Sequence, residues 1–109
     1  MSIEDLNKVD VVSIEDGAYV LTIVDHWDWV VKFDHLPQLE EKLNNYLAYA
    51  EAGELVVAFP DAVGKPVVIE VEFLFEPEGI AVEFLEVVKG TIEAAGIGFR
   101  WFVKDATAN

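Results

Sequence analysis

In the run Val67-Val68-Ile69-Glu70-Val71-Glu72-Phe73-Leu74-Phe75 polar and apolar residues nearly alternate. Successive side chains of an extended chain point to opposite faces, so Val67, Ile69, Val71, Phe73 and Phe75 share one apolar side. Val68, Glu70, Glu72 and Leu74 share the other. One side belongs in a core and the other is partly solvated, the expectation for an antiparallel sheet covered by helices on a single face. The rest of the chain must supply that cover.

Two stretches have the periodicity to do so. The first helix is expected to begin near Asp34, whose carboxylate can accept from free backbone amides, with Pro37 tolerated inside the first turn. Leu36, Leu39, Leu43, Tyr46, Leu47 and Ala50 fall on one face, while Glu40, Glu41, Lys42, Asn44, Asn45 and Glu51 face away, and Gly53 is the stop. Burying those six apolar side chains contributes on the order of 10 kcal/mol before entropy is counted. The second helix opens at Pro77 and carries Ala81, Phe84, Leu85, Val88, Ile92 and Ala95 before Gly96. Gly90 inside it costs about 1 kcal/mol relative to Ala, which close packing against the first helix or the sheet would explain.

The remaining segments read as strands. Val9 to Ile14 and Ala18 to Val24 flank the turn residues Glu15-Asp16-Gly17 and form the most local pairing. Glu54 to Phe59 reads as a short strand, followed by a loop from Pro60 to Pro66. Ile97 to Val103 is apolar on both faces, with Phe99, Trp101 and Val103 on one and Arg100 and Phe102 on the other, so it either lies inside the sheet or pairs with another chain. Ser2 to Lys8 form a lead-in and Asp105 to Asn109 a frayed tail. The order is ββαββαβ: residues 1–109 form a single α+β domain, a two-layer sandwich with two helices on one face of a largely antiparallel sheet.

Composition narrows the function classes. Seven Lys and Arg stand against 21 Asp and Glu, a net charge of -14, which disfavours nucleic acid and anionic membrane surfaces alike. A basic protein partner suits such a surface. Apolar residues reach 53% and mean hydropathy is +0.31, so a surface completed by a second copy, a homodimer, is an alternative use of the apolar excess. Cysteine is absent, which removes disulfides, thiolate metal sites and a cysteine nucleophile. No signal-peptide core or membrane-length apolar run is present, and the cytoplasm is the expected location.

The stretch from Tyr19 to Leu36 holds both histidines and two of the three tryptophans. Asp25, His26, Asp28, Asp34 and His35 are residue types that Zn, Mn or Fe accept. Neighbours on an extended segment point apart, so a metal would need His26 and Asp28 with a turn returning His35, and no constrained spacing such as HExxH supports that set. The commoner arrangement has Asp34 capping a helix and the histidines lining a loop. An Asp beside His26 or His35 has acid–base chemistry, but the serines, Ser2 and Ser13, sit in no nucleophile elbow and no Gly-rich phosphate loop occurs. No cofactor is expected. Trp27 and Trp29 alternate with Asp28 and project from one side of an extended chain; with Asp25 and Asp28 they form the candidate partner-binding set. Glu70, Glu72, Glu76, Glu78, Glu83, Glu86 and Glu93, with Lys89 among them, offer an acidic face to a basic partner.

Several segments together carry a resemblance: Ser2-Ile3-Glu4-Asp5, Asn7-Lys8-Val9-Asp10, Val20-Leu21-Thr22-Ile23, Asp25-His26-Trp27-Asp28-Trp29, Glu41-Lys42-Leu43-Asn44, Tyr46-Leu47-Ala48, Pro60-Asp61-Ala62 and Val67-Val68-Ile69-Glu70. In these the chain resembles a family of small acidic bacterial proteins known only as a domain of unknown function. The resemblance implies a bacterial source and a stand-alone domain, and it carries no catalytic residues. Some small acidic bacterial proteins act as immunity proteins against secreted toxins, a link made here by analogy alone. The expected function is a non-enzymatic protein-binding domain using an acidic, Trp-bearing surface. A structural homodimer joined through the final strand, and a metal-dependent enzyme at His26, Asp28 and His35, are the other two readings.

Overall fold

A computed structural model of the chain describes residues 11–26 and 32–104. The lead-in, the tail, and Trp27, Asp28 and Trp29 lie outside the described residues. Within them the chain is α+β, with strands β1 (Val11–Glu15), β2 (Ala18–Asp25), β3 (Val67–Phe73) and β4 (Gly98–Val103) and helices α1 (Lys32–Glu51), α2 (Glu54–Ala58) and α3 (Ile80–Ala94). A single 3-10 turn, Pro60–Ala62, follows α2.

The hairpin is where the turn chemistry places it. Asp16 and Gly17 both take positive φ, 51° and 83°, the combination that a two-residue loop needs to match strand twist. Glu15 then faces Ala18, and the antiparallel register runs to Val11 opposite Thr22.

The sheet is mixed rather than largely antiparallel, in the order β1-β2-β3-β4, with β2–β3 and β3–β4 both parallel. One misread segment accounts for the difference. Glu54-Leu55-Val56-Val57-Ala58 forms the helix α2, not a strand, despite its β-branched residues. A short apolar run is ambiguous by pattern alone. Here β3 already has β2 on one side and β4 on the other, Leu55 is the buried residue of α2, and Val57 is 83% exposed. With that strand gone, each of β2, β3 and β4 is separated from the next by a helical crossover. A crossover of this kind returns the chain to the end where it started, so the strands it joins run parallel.

Both long helices pack on the same face of this sheet. Leu39, Leu43 and Tyr46 of α1, and Leu85 and Ile92 of α3, share one core with Leu21, Ile23, Ile69, Val71, Phe73 and Phe99. The faces of β3 and β4 are those expected from alternation, with Trp101 standing edge-on to Phe73 at 5.8 Å. β4 is an edge strand. β3, however, ends at Phe73, and Leu74 and Phe75 are exposed beyond it.

Both helices also start elsewhere than expected. α1 begins at Lys32, which puts Pro37 in its second turn rather than its first, and Pro77 is buried ahead of α3 instead of opening it. The end of α3 is as read: Gly96 takes φ 83°, its amide donates to the Glu93 carbonyl, and the Ile97 amide donates to Ile92. That pairing is the Schellman arrangement in which glycine is favoured.

Gly90 is different. A Cβ there would meet nothing within 4 Å, so close packing does not explain the residue. Gly90→Ala is expected to stabilise the protein by up to about 1 kcal/mol in urea unfolding, because helical Gly carries an entropic cost without a packing gain here. Gly96→Ala in the same assay is expected to destabilise it by about 1 kcal/mol, since its backbone must stay left-handed.

Candidate functional site

The inward face of α1 is His35, Leu39, Lys42, Leu43 and Tyr46, all buried. Two of these side chains are basic, and Lys42, read from the sequence as facing away, is fully enclosed. Asp25 ends β2 on the same side of the sheet as Leu21 and Ile23, and points into the same layer. Asp25, His35, Lys42 and Thr22 are the buried polar or charged side chains among the described residues.

Asp25 and His35 pair with each other. The imidazole Nε2 of His35 donates to Asp25 Oδ2, and both side chains are 0% exposed. Burying either group alone would cost several kcal/mol, so the pairing is what makes the position tolerable. Two helical turns beyond His35, the Lys42 ammonium lies 5.4 Å from the centroid of the Tyr46 ring, within the range where a desolvated cation is attracted to an aromatic face. The Tyr46 hydroxyl in turn donates to the main-chain carbonyl of Thr22 at 3.2 Å. A polar seam thus runs between α1 and β2.

An imidazole oriented by a carboxylate is the core of many acid–base sites. Here both partners are sealed from solvent, and the pair joins the end of β2 to the second turn of a helix ten residues later. Its evident work is on the fold. The sequence singled out a His–Asp pair as possible chemistry; the structure selects Asp25 with His35. It also takes Asp25 off the surface, where the candidate partner-binding set had placed it. His26 stands exposed, His35 is buried, and Asp28 lies outside the described residues, so the candidate metal set is not brought together within them. Among the described residues no three His, Asp or Glu side chains gather at one point.

The acids read as one face fall on two. Glu70 and Glu72 lie on the sheet face opposite the helices, whereas Glu83, Glu86 and Glu93 belong to α3. On the sheet face Glu70 is occupied: it accepts from Thr22 Oγ1 at 3.1 Å and from Arg100 Nε at 2.6 Å, and Arg100 Nη2 reaches Glu15 at 3.0 Å. The hydrogen bonds to Glu15 and Glu70 push the guanidinium further above its ordinary value. Arg100 of β4 thereby spans β3 and β2 to reach β1.

A model for a family of unknown function, DUF6572, matches residues 1–105. The chain belongs to DUF6572. No curated protein and no solved structure gives a significant match to this DUF6572 chain. Among its described residues no helix is long and apolar enough to cross a membrane.

Asp25→Ala and His35→Ala should each lower stability by at least about 1–3 kcal/mol, the cost of leaving a buried polar partner unsatisfied. The two changes combined should cost less than their sum, because they remove one shared interaction. Urea unfolding of the four proteins of this cycle measures both quantities, and strict additivity would show that the pair is not coupled.

Proposed function

We propose that this DUF6572 protein is a non-enzymatic protein-binding domain whose partner is basic. The observation that supports the reading is the number of large apolar side chains standing in water on a chain of net charge -14. Val57 and Val63 flank the exposed Phe59 after α1, Ile80 and Val87 project from α3, and Val87 is 69% exposed. Single exposed apolar residues need no explanation, whereas this many large ones on a small, highly charged chain favour a surface that is covered in use. The surrounding acids then select the sign of the partner and speed its approach. Trp27 and Trp29 are proposed as further contacts, since Trp is the residue type most enriched among those that dominate binding energy.

A second reading draws on β4. It is an edge strand carrying the exposed Phe102, and pairing of two such edges would join two copies into one sheet.

The purified protein serves as bait in lysate of its source organism at low and high salt. Under the first reading a basic protein is retained in stoichiometric amount, is released by high salt, and is lost with the Trp27→Ala, Trp29→Ala double variant. Recovery of the bait alone would reject that reading. The second predicts a dimer that becomes a monomer when Trp101 and Phe102 are replaced by polar residues, as read by light scattering.

A further inference from the structure

The helix layer is not closed. Between α1 and α3 runs a groove of about 150 Å³. Its floor is formed by Leu43 and Leu47 from one helix and Phe84, Val88 and Ile92 from the other. Leu47, Phe84 and Val88 remain half-buried although they pack against the core. Val87 and Thr91 form the wall on α3, and the Thr91 hydroxyl already donates to the Val87 carbonyl at 3.2 Å, so this wall asks for no polar partner. Glu40 and Asn44 form the wall on α1. Glu83 sits one turn before Val87, and Glu51 one turn beyond Leu47. The groove has an apolar floor and Glu40 in its wall, with Glu51 and Glu83 at helix positions one turn from its lining residues.

We infer that the groove between α1 and α3 binds an amphipathic helix of a partner protein, with its apolar stripe on the floor and lysines or arginines against Glu40, Glu51 and Glu83. This rests on the protein-binding reading and names its surface. The lining runs from residue 40 to 47 on one helix and from 84 to 92 on the other, about 10–12 Å at the helical rise, which matches some two turns of an inserted helix. Apolar anchors at i, i+3, i+4 and i+7 are the usual means of filling such a trough.

Charge and sequence argue against the other occupants. A second copy would bring the same acids to the same edges, and like charges set opposite each other cost free energy. The tail Asp105-Ala106-Thr107-Ala108-Asn109 has no large apolar side chain to insert, and the segment before Val11 carries Glu4, Asp5 and Asp10 against Lys8.

The test uses the full chain and three fluorescein-labelled probes: a model helix of Leu at i, i+3, i+4, i+7 spacing with Lys elsewhere, its Glu counterpart, and a scrambled Leu/Lys peptide of equal composition. Anisotropy should show the Leu/Lys helix binding at least tenfold more tightly than either control. Amide shifts should fall on residues 40–47 and 84–92. Val87→Lys, at a position exposed enough to leave the fold intact, should weaken binding at least tenfold, and Glu40→Lys with Glu83→Lys should shift preference toward the Glu peptide. Equal binding of the scrambled peptide, no binding, or indifference to Val87→Lys would overturn the proposal. Groove shifts that grow with protein concentration before any peptide is added would overturn it in favour of a second copy. Binding that maps to another surface removes the groove while leaving the protein-binding reading standing. That reading fails separately, if the bait retains no basic protein.

Discussion

The rotation of α1 about its own axis is the choice on which the rest of the core depends, and two polar links make it. His35 Nε2 bonds Asp25 at the end of β2, and the Tyr46 hydroxyl bonds the Thr22 carbonyl three residues earlier on the same strand. Leu39 and Leu43 lie between these points and are carried into the core with them. The apolar residues alone do not settle the rotation, because Leu47 and Ala50 at the flank also pack against the core and make the apolar stripe broad. Turning the helix toward that flank would strand a buried carboxylate and remove Lys42 from the Tyr46 ring. Unpaired buried charge costs more than a Leu side chain gains, so the polar seam decides.

That competition explains which parts of the fold were legible in the sequence. The hairpin at Asp16-Gly17, the alternation of Val67 to Phe73, the stop at Gly96 and the two long helices each follow from local chemistry, and local chemistry was sufficient. Lys42 was not legible, because a lysine between Leu39 and Leu43 looks solvent-facing until a partner on another element is known; its one signal was its spacing, seven residues after His35 and four before Tyr46. Glu54 to Ala58 was not legible either. Its valines favour a strand, and only the filled neighbours of β3 override that preference. From that one segment the direction of half the sheet was misjudged, since strand polarity depends on how many crossings the chain makes.

The two faces of the sheet handle polar groups in opposite ways. Beneath the helices the charges are few, sealed and paired, so each is costly to disturb. On the other face Arg100 joins Glu70 and Glu15 in the open, with its side chain 46% exposed. Solvent and salt weaken such contacts, and pairs of this kind contribute about 0–1 kcal/mol each. Their structural effect is larger than their energy: the arginine crosses above β2, on the face where Val20 and Thr22 are buried opposite the described helices.

The same asymmetry arranges the field of the molecule. Arg100 offsets part of the charge on the sheet face, but among the described side chains of α1 and α3 the exposed positions hold Glu40, Glu41, Glu51, Glu83, Glu86 and Glu93 against Lys89. The outer face of the helix layer is therefore negative. Repulsion among these acids opposes compaction and opposes the approach of a second copy to this face. Placing several of them beside the groove between Leu47 and Phe84 joins an attractive field for cations to an apolar trough. A basic amphipathic segment satisfies both at once, whereas an acidic or purely polar one satisfies neither.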